Sequence, residues 1–120
     1  MFRKAGQFES QVHTSRKAVD QADPPIRCRN CSAPITHERE RIERRDAHRH
    51  RFSNPLGLAF TVGCFRTTRC VTRGAGTREH TWFPGYDWTI AICPSCLDHL
   101  GWKFECAGDS FYALILDRIR

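Results

Sequence analysis

Large and small, or apolar and polar, residues alternate with a period of two along much of the second half of the chain. Trp88-Thr-Ile-Ala-Ile-Cys93 alternates as a half-buried strand does. Trp102-Lys-Phe-Glu-Cys106 alternates again, which places Trp102 and Phe104 on one face. Leu58 to Phe65, rich in Val, Phe and Thr, predicts another strand. A short strand is expected around Cys70-Val71-Thr72, and Phe111 to Leu116 reads as an apolar closing strand.

Turn signals separate these runs. Ser53-Asn54-Pro55-Leu56-Gly57 is a turn on composition, and Arg73-Gly74-Ala75-Gly76-Thr77 reads as a loop. Phe83-Pro84-Gly85-Tyr86 fits a type II turn, with Pro second and Gly third, so the chain should reverse between Trp82 and Trp88. Gly108-Asp109-Ser110 is a further turn. His37 to Arg51 is too charged for burial, and either a surface helix or an extended segment is open to it. The fold class is mainly β, with short strands and many turns.

The first 25 residues are polar, lack periodicity and end at Pro24-Pro25, which predicts a flexible tail over 1–25 and one domain over 26–120. With 120 residues, 40% hydrophobic and 27% charged, the profile is globular. No apolar run reaches the roughly 20 residues a membrane-spanning helix needs, and the basic start has no apolar stretch behind it. A cytoplasmic protein is expected.

The net charge of +6 invites a nucleic-acid partner, but its location argues against one. Residues 1–52 hold 12 Lys/Arg against 7 Asp/Glu, while residues 53–120 hold 7 against 6. Arginine interspersed with glutamate between Glu38 and Arg51 is the pattern of a solvated surface.

Chemistry concentrates elsewhere. Cys28-x-x-Cys31 and Cys93-x-x-Cys96 each offer two thiolates from one tight turn, and together they supply the four-sulfur shell that zinc prefers. Four thiolates with no open position make a structural site, here tying distant parts of the chain together. Cys64, Cys70 and Cys106 fall on predicted strands, where buried inert thiols are usual.

All three tryptophans, Trp82, Trp88 and Trp102, flank the second cysteine pair. Composition alone favours a core built from them and Phe104. The other reading is an aromatic cage for a methylated ammonium group or a small flat ring. Glu79 and Asp87 lie near enough in sequence to keep the cation open.

Residues 79–104, EHTWFPGYDWTIAICPSCLDHLGWKF, resemble the CULT domain, the thalidomide-binding domain of cereblon. The resemblance extends over 26–117, through Asn54-Pro55 and Gly57 to Phe111-Tyr-Ala-Leu-Ile. It implies a β-tent-like fold of two small antiparallel sheets pinned by a structural Zn2+ on Cys28, Cys31, Cys93 and Cys96. It implies that Trp82, Trp88 and Trp102 form three walls of a pocket, with Phe104 completing the rim. Ligands of the family are cyclic imides of the glutarimide type and uracil- or uridine-like rings, and cyclised protein C-termini belong to the same chemistry. By that resemblance His80 receives the imide N–H, partly through its backbone carbonyl, the Trp82 backbone N–H donates to one ring carbonyl, and a wall indole serves the other. Asn54 would meet the substituent at the mouth, and Glu79 is expected among the ligand-binding residues.

Leu56 and Leu58 stand where eukaryotic members carry polar or aromatic residues. A free-standing, bacterial-type member is expected, without the preceding domain that joins cereblon to a ubiquitin ligase, and ligase assembly is not carried over. The expected function is therefore a zinc-stabilised binding module and not an enzyme. An enzymatic alternative exists on the same scaffold, since zinc-bearing methionine sulfoxide reductases use a sheet cysteine, and Cys106 is the candidate. Its surroundings lack the arginine-flanked cysteine motif such an enzyme needs.

Overall fold

The computed structural model describes residues 23–120, so most of the tail expected over 1–25 lies outside the described residues. Eight strands follow in order: β1 Pro25–Arg27, β2 Pro34–His37, β3 Arg49–Ser53, β4 Ala59–Phe65, β5 Val71–Thr77, β6 Asp87–Ile92, β7 His99–Cys106 and β8 Asp109–Ile115. Two short 3-10 turns, Glu38–Glu40 and Leu116–Arg118, complete the regular structure. The strands form two antiparallel sheets, β1-β2 and the six-stranded β3-β4-β8-β7-β6-β5. Mainly β architecture in two antiparallel sheets is what the alternation and the resemblance predicted, with unequal sheets.

Two segments differ from the expectation, and a third that was open between helix and extended chain is decided. The glycine-rich stretch 73–77 is strand rather than loop: β5 pairs with β6 at Arg73↔Ile90 and again at Thr77↔Trp88, with a shift of register between. Gly74 at φ +84° supplies the left-handed residue a bulge uses, so here glycine marks an irregular edge strand. The charged segment 37–51 forms no α-helix: it passes through the 3-10 turn Glu38–Glu40 and a left-handed turn at Arg45 and Asp46 into β3, where Arg49, Arg51 and Ser53 face solvent while His50 and Phe52 turn inward. The last turn is shorter than expected. Asp109 and Ser110 already pair with Cys106 and Glu105, leaving Ala107-Gly108 as the reversal, with Gly108 at φ +83°.

Because opposed residues in a sheet share a face, the registers sort the core into two clusters. Trp88↔Phe104, Ile90↔Trp102, Trp102↔Ala113 and Phe104↔Phe111 put every one of these side chains on one side. With Val62, Cys64, Phe83 and Ile115, all of them but the exposed Ile90 build an aromatic cluster. On the other side Phe65, Ala91, Leu100 and Leu114 pack with Ile35, Ile119, Cys28 and Cys93. The six-stranded sheet thus divides an aromatic core from a thiol-bearing one.

Close approach in the centre depends on Gly101. It pairs with both Ala91 and Leu114, and a Cβ there would lie 2.1 Å from the Ala113 carbonyl oxygen. The small sheet is held by the C-terminal segment, as the Arg27 and Arg120 backbones exchange hydrogen bonds of 2.7 and 2.8 Å and Cys28 pairs with Ile119.

Candidate functional site

Each cysteine pair sits in a tight knuckle. The Ser32 N–H donates to the Cys28 carbonyl and the Leu97 N–H to the Cys93 carbonyl, at 2.8 and 3.0 Å. Ser32 and Leu97, each following the second cysteine of its pair, adopt the same left-handed backbone, with φ of 69° and 68°. Each knuckle therefore offers one buried thiol, Cys28 or Cys93, and one nearer the surface, Cys31 or Cys96.

The four Sγ atoms lie within 4.8 Å of one another, with Cys28–Cys96 at 3.8 Å and Cys31–Cys93 at 3.6 Å. A tetrahedron of sulfurs about 2.3 Å from zinc has edges of about 3.8 Å. The donor set and its spacing fit that ion. Burial pushes the Cys28 thiol up to about 12, while hydrogen bonds from Asn30 and the Asp98 backbone hold Cys96 down at about 7. A dication held by thiolates resolves that conflict by supplying the positive charge the buried sulfur lacks.

On the opposite face lies a recess of about 450 Å³, within the range of small-molecule sites. Trp82, Trp88, Trp102, Phe104, His80 and Asn54 all line it. The turn at Phe83-Pro84-Gly85-Tyr86 forms as expected, with Tyr86 N–H donating to Phe83 O at 3.0 Å and Gly85 at φ +90°. It returns the chain so that Trp82 and Trp88 serve the same recess. Trp82 meets Trp102 edge to face at 4.6 Å and stacks on Phe52 at 4.9 Å.

Phe104 is only 1% exposed and stacks on Phe111, so it belongs to the floor rather than the rim. Beneath it Phe83 packs edge-on against Phe104 and Phe111 at 4.8 and 5.0 Å, which braces the floor. Asn54 has less to offer a ligand than expected. Its Oδ1 accepts the Leu56 and Leu58 N–H groups at 3.0 and 2.9 Å, locking its own turn.

Glu79 does not line the recess. Its backbone carbonyl accepts the Trp88 indole N–H at 2.8 Å, and its carboxylate is exposed, 3.7 Å from His80 Nε2. Asp87 is likewise engaged, by Arg78 at 3.0 Å. No carboxylate is among the residues lining the recess.

Two residues of the segment 78–82, His80 and Trp82, line the recess. The Thr81 N–H donates to Arg78 O, and His80 sits at φ +59°, a left-handed position that histidine tolerates better than most side chains. Among the described residues, neither the His80 carbonyl nor the Trp82 N–H has a hydrogen-bond partner. The Trp82 indole N–H donates to Ser53 O at 3.1 Å, so with Trp88 also engaged, Trp102 is the wall indole without a partner among the described residues.

Phe60, Ile90 and His99 also line the recess, and none was singled out from sequence. Phe60 had a signal, because alternation in the 58–65 run places it on the face of Val62 and Cys64. His99 had none; its ring meets Trp102 edge-on at 4.8 Å and one nitrogen is bonded to Gly101 O at 2.9 Å. Burial pushes its pKa down, which keeps the ring neutral.

Cys106 lies elsewhere, in a shallow polar concavity with Arg66, Glu105 and Asp109, and is not among the residues lining the aromatic recess. Cys64 and Cys70 are buried, and burial raises both thiols, Cys64 to about 11. No helix of the described residues is long and apolar enough to cross a membrane.

A cluster of four thiols that could hold a metal ion on one face and an indole-walled recess on the other define the class: a small, mainly β domain with a four-cysteine cluster and an aromatic recess. Part of the chain is homologous to cereblon. It is 43% identical to chicken (Gallus gallus) cereblon over 54 residues, 44% of this chain and 12% of that protein. It is 41% identical to the zebrafish (Danio rerio) protein over 55 residues, 45% of this chain and 13% of the other. A longer match, 28% over 82 residues, joins 65% of the chain to 14% of cereblon from Drosophila erecta. The chain thus spans about an eighth of the length of these relatives. No family model matches it.

Proposed function

We propose that this is a CULT-type binding module, folded around a structural Zn2+ on Cys28, Cys31, Cys93 and Cys96, whose recess takes cyclic imides and uracil-like rings. The observation that carries the proposal is that aromatic walls share the lining with His80 and Trp82, whose backbone carbonyl and N–H respectively have no partner among the described residues. A cyclic imide has one N–H between two carbonyls. Its N–H donates to His80 O, one carbonyl accepts from Trp82 N–H, and the other accepts from the Trp102 indole. The ring faces lie against indole, where contact area supplies most of the affinity.

A neutral ring suits the recess better than a methylated ammonium group, since no carboxylate lines it to balance a cation. The Cys106 thiol lies apart from the walls, so a sulfoxide-reducing role gains no support from its position. The partner is a small molecule such as glutarimide or uridine, or a cyclised protein C-terminus, met in the cytoplasm. Ubiquitin-ligase assembly is not part of the proposal.

Titrating the zinc-loaded protein with glutarimide while following indole fluorescence and heat tests it. Saturable quenching or a blue shift with one-to-one stoichiometry is expected. Unchanged fluorescence together with no heat of binding overturns it.

A further inference from the structure

The mouth of the recess differs chemically from its interior edge. Five large hydrophobic residues among those described are exposed, and two of them, Leu56 at 85% and Ile90 at 37%, also line the recess. A single exposed leucine is ordinary on a protein surface. Two at one opening, both on fixed backbone, are a built feature.

Leu56 rides a turn braced four times: Asn54 Oδ1 accepts the N–H of Leu56 and of Leu58, Asn54 N–H donates to Leu58 O, and Gly57 N–H donates to Asn54 O. Ile90 sits in β6 between its neighbours Arg73 and Trp102. The same bracing consumes the Asn54 oxygen and leaves its amide NH2 as the polar group beside Pro55, Leu56 and Ile90. A six-membered ring occupies only part of a recess of about 450 Å³, and whatever the ring carries must leave past these side chains.

We infer that Leu56 and Ile90 are specificity-determining lips that favour rings bearing a short apolar substituent over rings bearing a polar one, which presupposes the ring-binding function proposed above. An apolar group laid across the lips removes about 50 Å² of apolar surface from water, worth about tenfold in affinity. A carboxamide of equal size gains less and leaves its water-bonded groups poorly paired.

The experiment compares three probes by calorimetry on the zinc-loaded chain: glutarimide, its α-isobutyl derivative, and the carboxamidomethyl isostere. The isobutyl compound should bind about tenfold tighter than the carboxamide. In Leu56→Asn and Ile90→Thr variants that ratio should fall towards one, while bare glutarimide keeps its affinity within about twofold and so reports an intact pocket. A ratio near one in the unaltered protein, with bare glutarimide binding normally, overturns the lip inference alone. Loss of bare-ring affinity in Leu56→Asn assigns the leucine to the ring and overturns it as well. If none of the three compounds binds, the ring-binding function itself is wrong and the lips fall with it.

Discussion

Trp82 and Trp102 meet edge to face with centroids 4.6 Å apart and planes at 74°, yet their supports differ. Trp102 stands in β7, is 9% exposed and also touches Phe60 and His99. Trp82 stands in a loop, half-buried, anchored by its indole N–H on Ser53 O and by Phe52. One ring is part of the core as much as the wall.

Truncating them should therefore separate stability from binding. Trp102→Ala should cost about 3–5 kcal/mol in denaturant unfolding. Trp88→Ala, at a half-buried strand position, should cost clearly less while weakening glutarimide at least tenfold. Equal destabilisation by the two would show that Trp88 is core.

The metal should be a condition of folding. One zinc per chain is expected by elemental analysis, with stabilisation on the order of 10 kcal/mol. Chelation, or Cys93→Ser at the buried ligand, should leave the two sheets unjoined and the near-ultraviolet circular dichroism flattened. Thiolates bind metal and thiols do not, so acid should release zinc as protons compete for the sulfurs.

Asp109 makes a different electrostatic prediction. Arg44 holds it by two bonds of 3.0 and 2.8 Å and Tyr86 donates a third at 2.6 Å, which together keep its carboxyl at about 2, below its ordinary 3.8. A depressed carboxylate contributes stability above its unfolded pKa and loses it as pH falls through the folded one. Asp109→Asn should thus cost about 2 kcal/mol, and that difference should stay constant from pH 8 down to about 5. Urea unfolding at several pH values in that range checks it.

Gly101→Ala should destabilise the domain by about 1–3 kcal/mol, the usual cost of overpacking, and towards the upper end because the new methyl meets backbone. Since the next residue is Trp102, glutarimide affinity should fall with it. Thermal unfolding and titration of the same sample measure both.

Features set by short-range chemistry were legible in the sequence. The two cysteine knuckles, the Phe83–Tyr86 turn and the alternation that pairs Trp102 with Phe104 each depend on a few adjacent residues, and each forms. Features set by register were not. Nothing local to His99 announces the recess, and Ile90, which alternation places only on the face of Trp88, is set beside Trp102 by the pairing of β6 with β7. Glycines at 74 and 76 spoke for a loop because propensity ignores what an edge strand gains from its partner. The burden on Asn54 was invisible for the same reason, since its side-chain oxygen is spent on backbone donors that only the folded turn aligns.

The strand β7 leaves the Cys93–Cys96 knuckle and carries Trp102 and Phe104 into the recess on the sheet's other side. Occupancy of the two sites is then a single thermodynamic cycle: whatever free energy the metal lends to ring binding, the ring must return as tighter retention of the metal. A saturating ligand should slow zinc transfer to a chelator, and tryptophan emission, with all three indoles at the recess, should report both events.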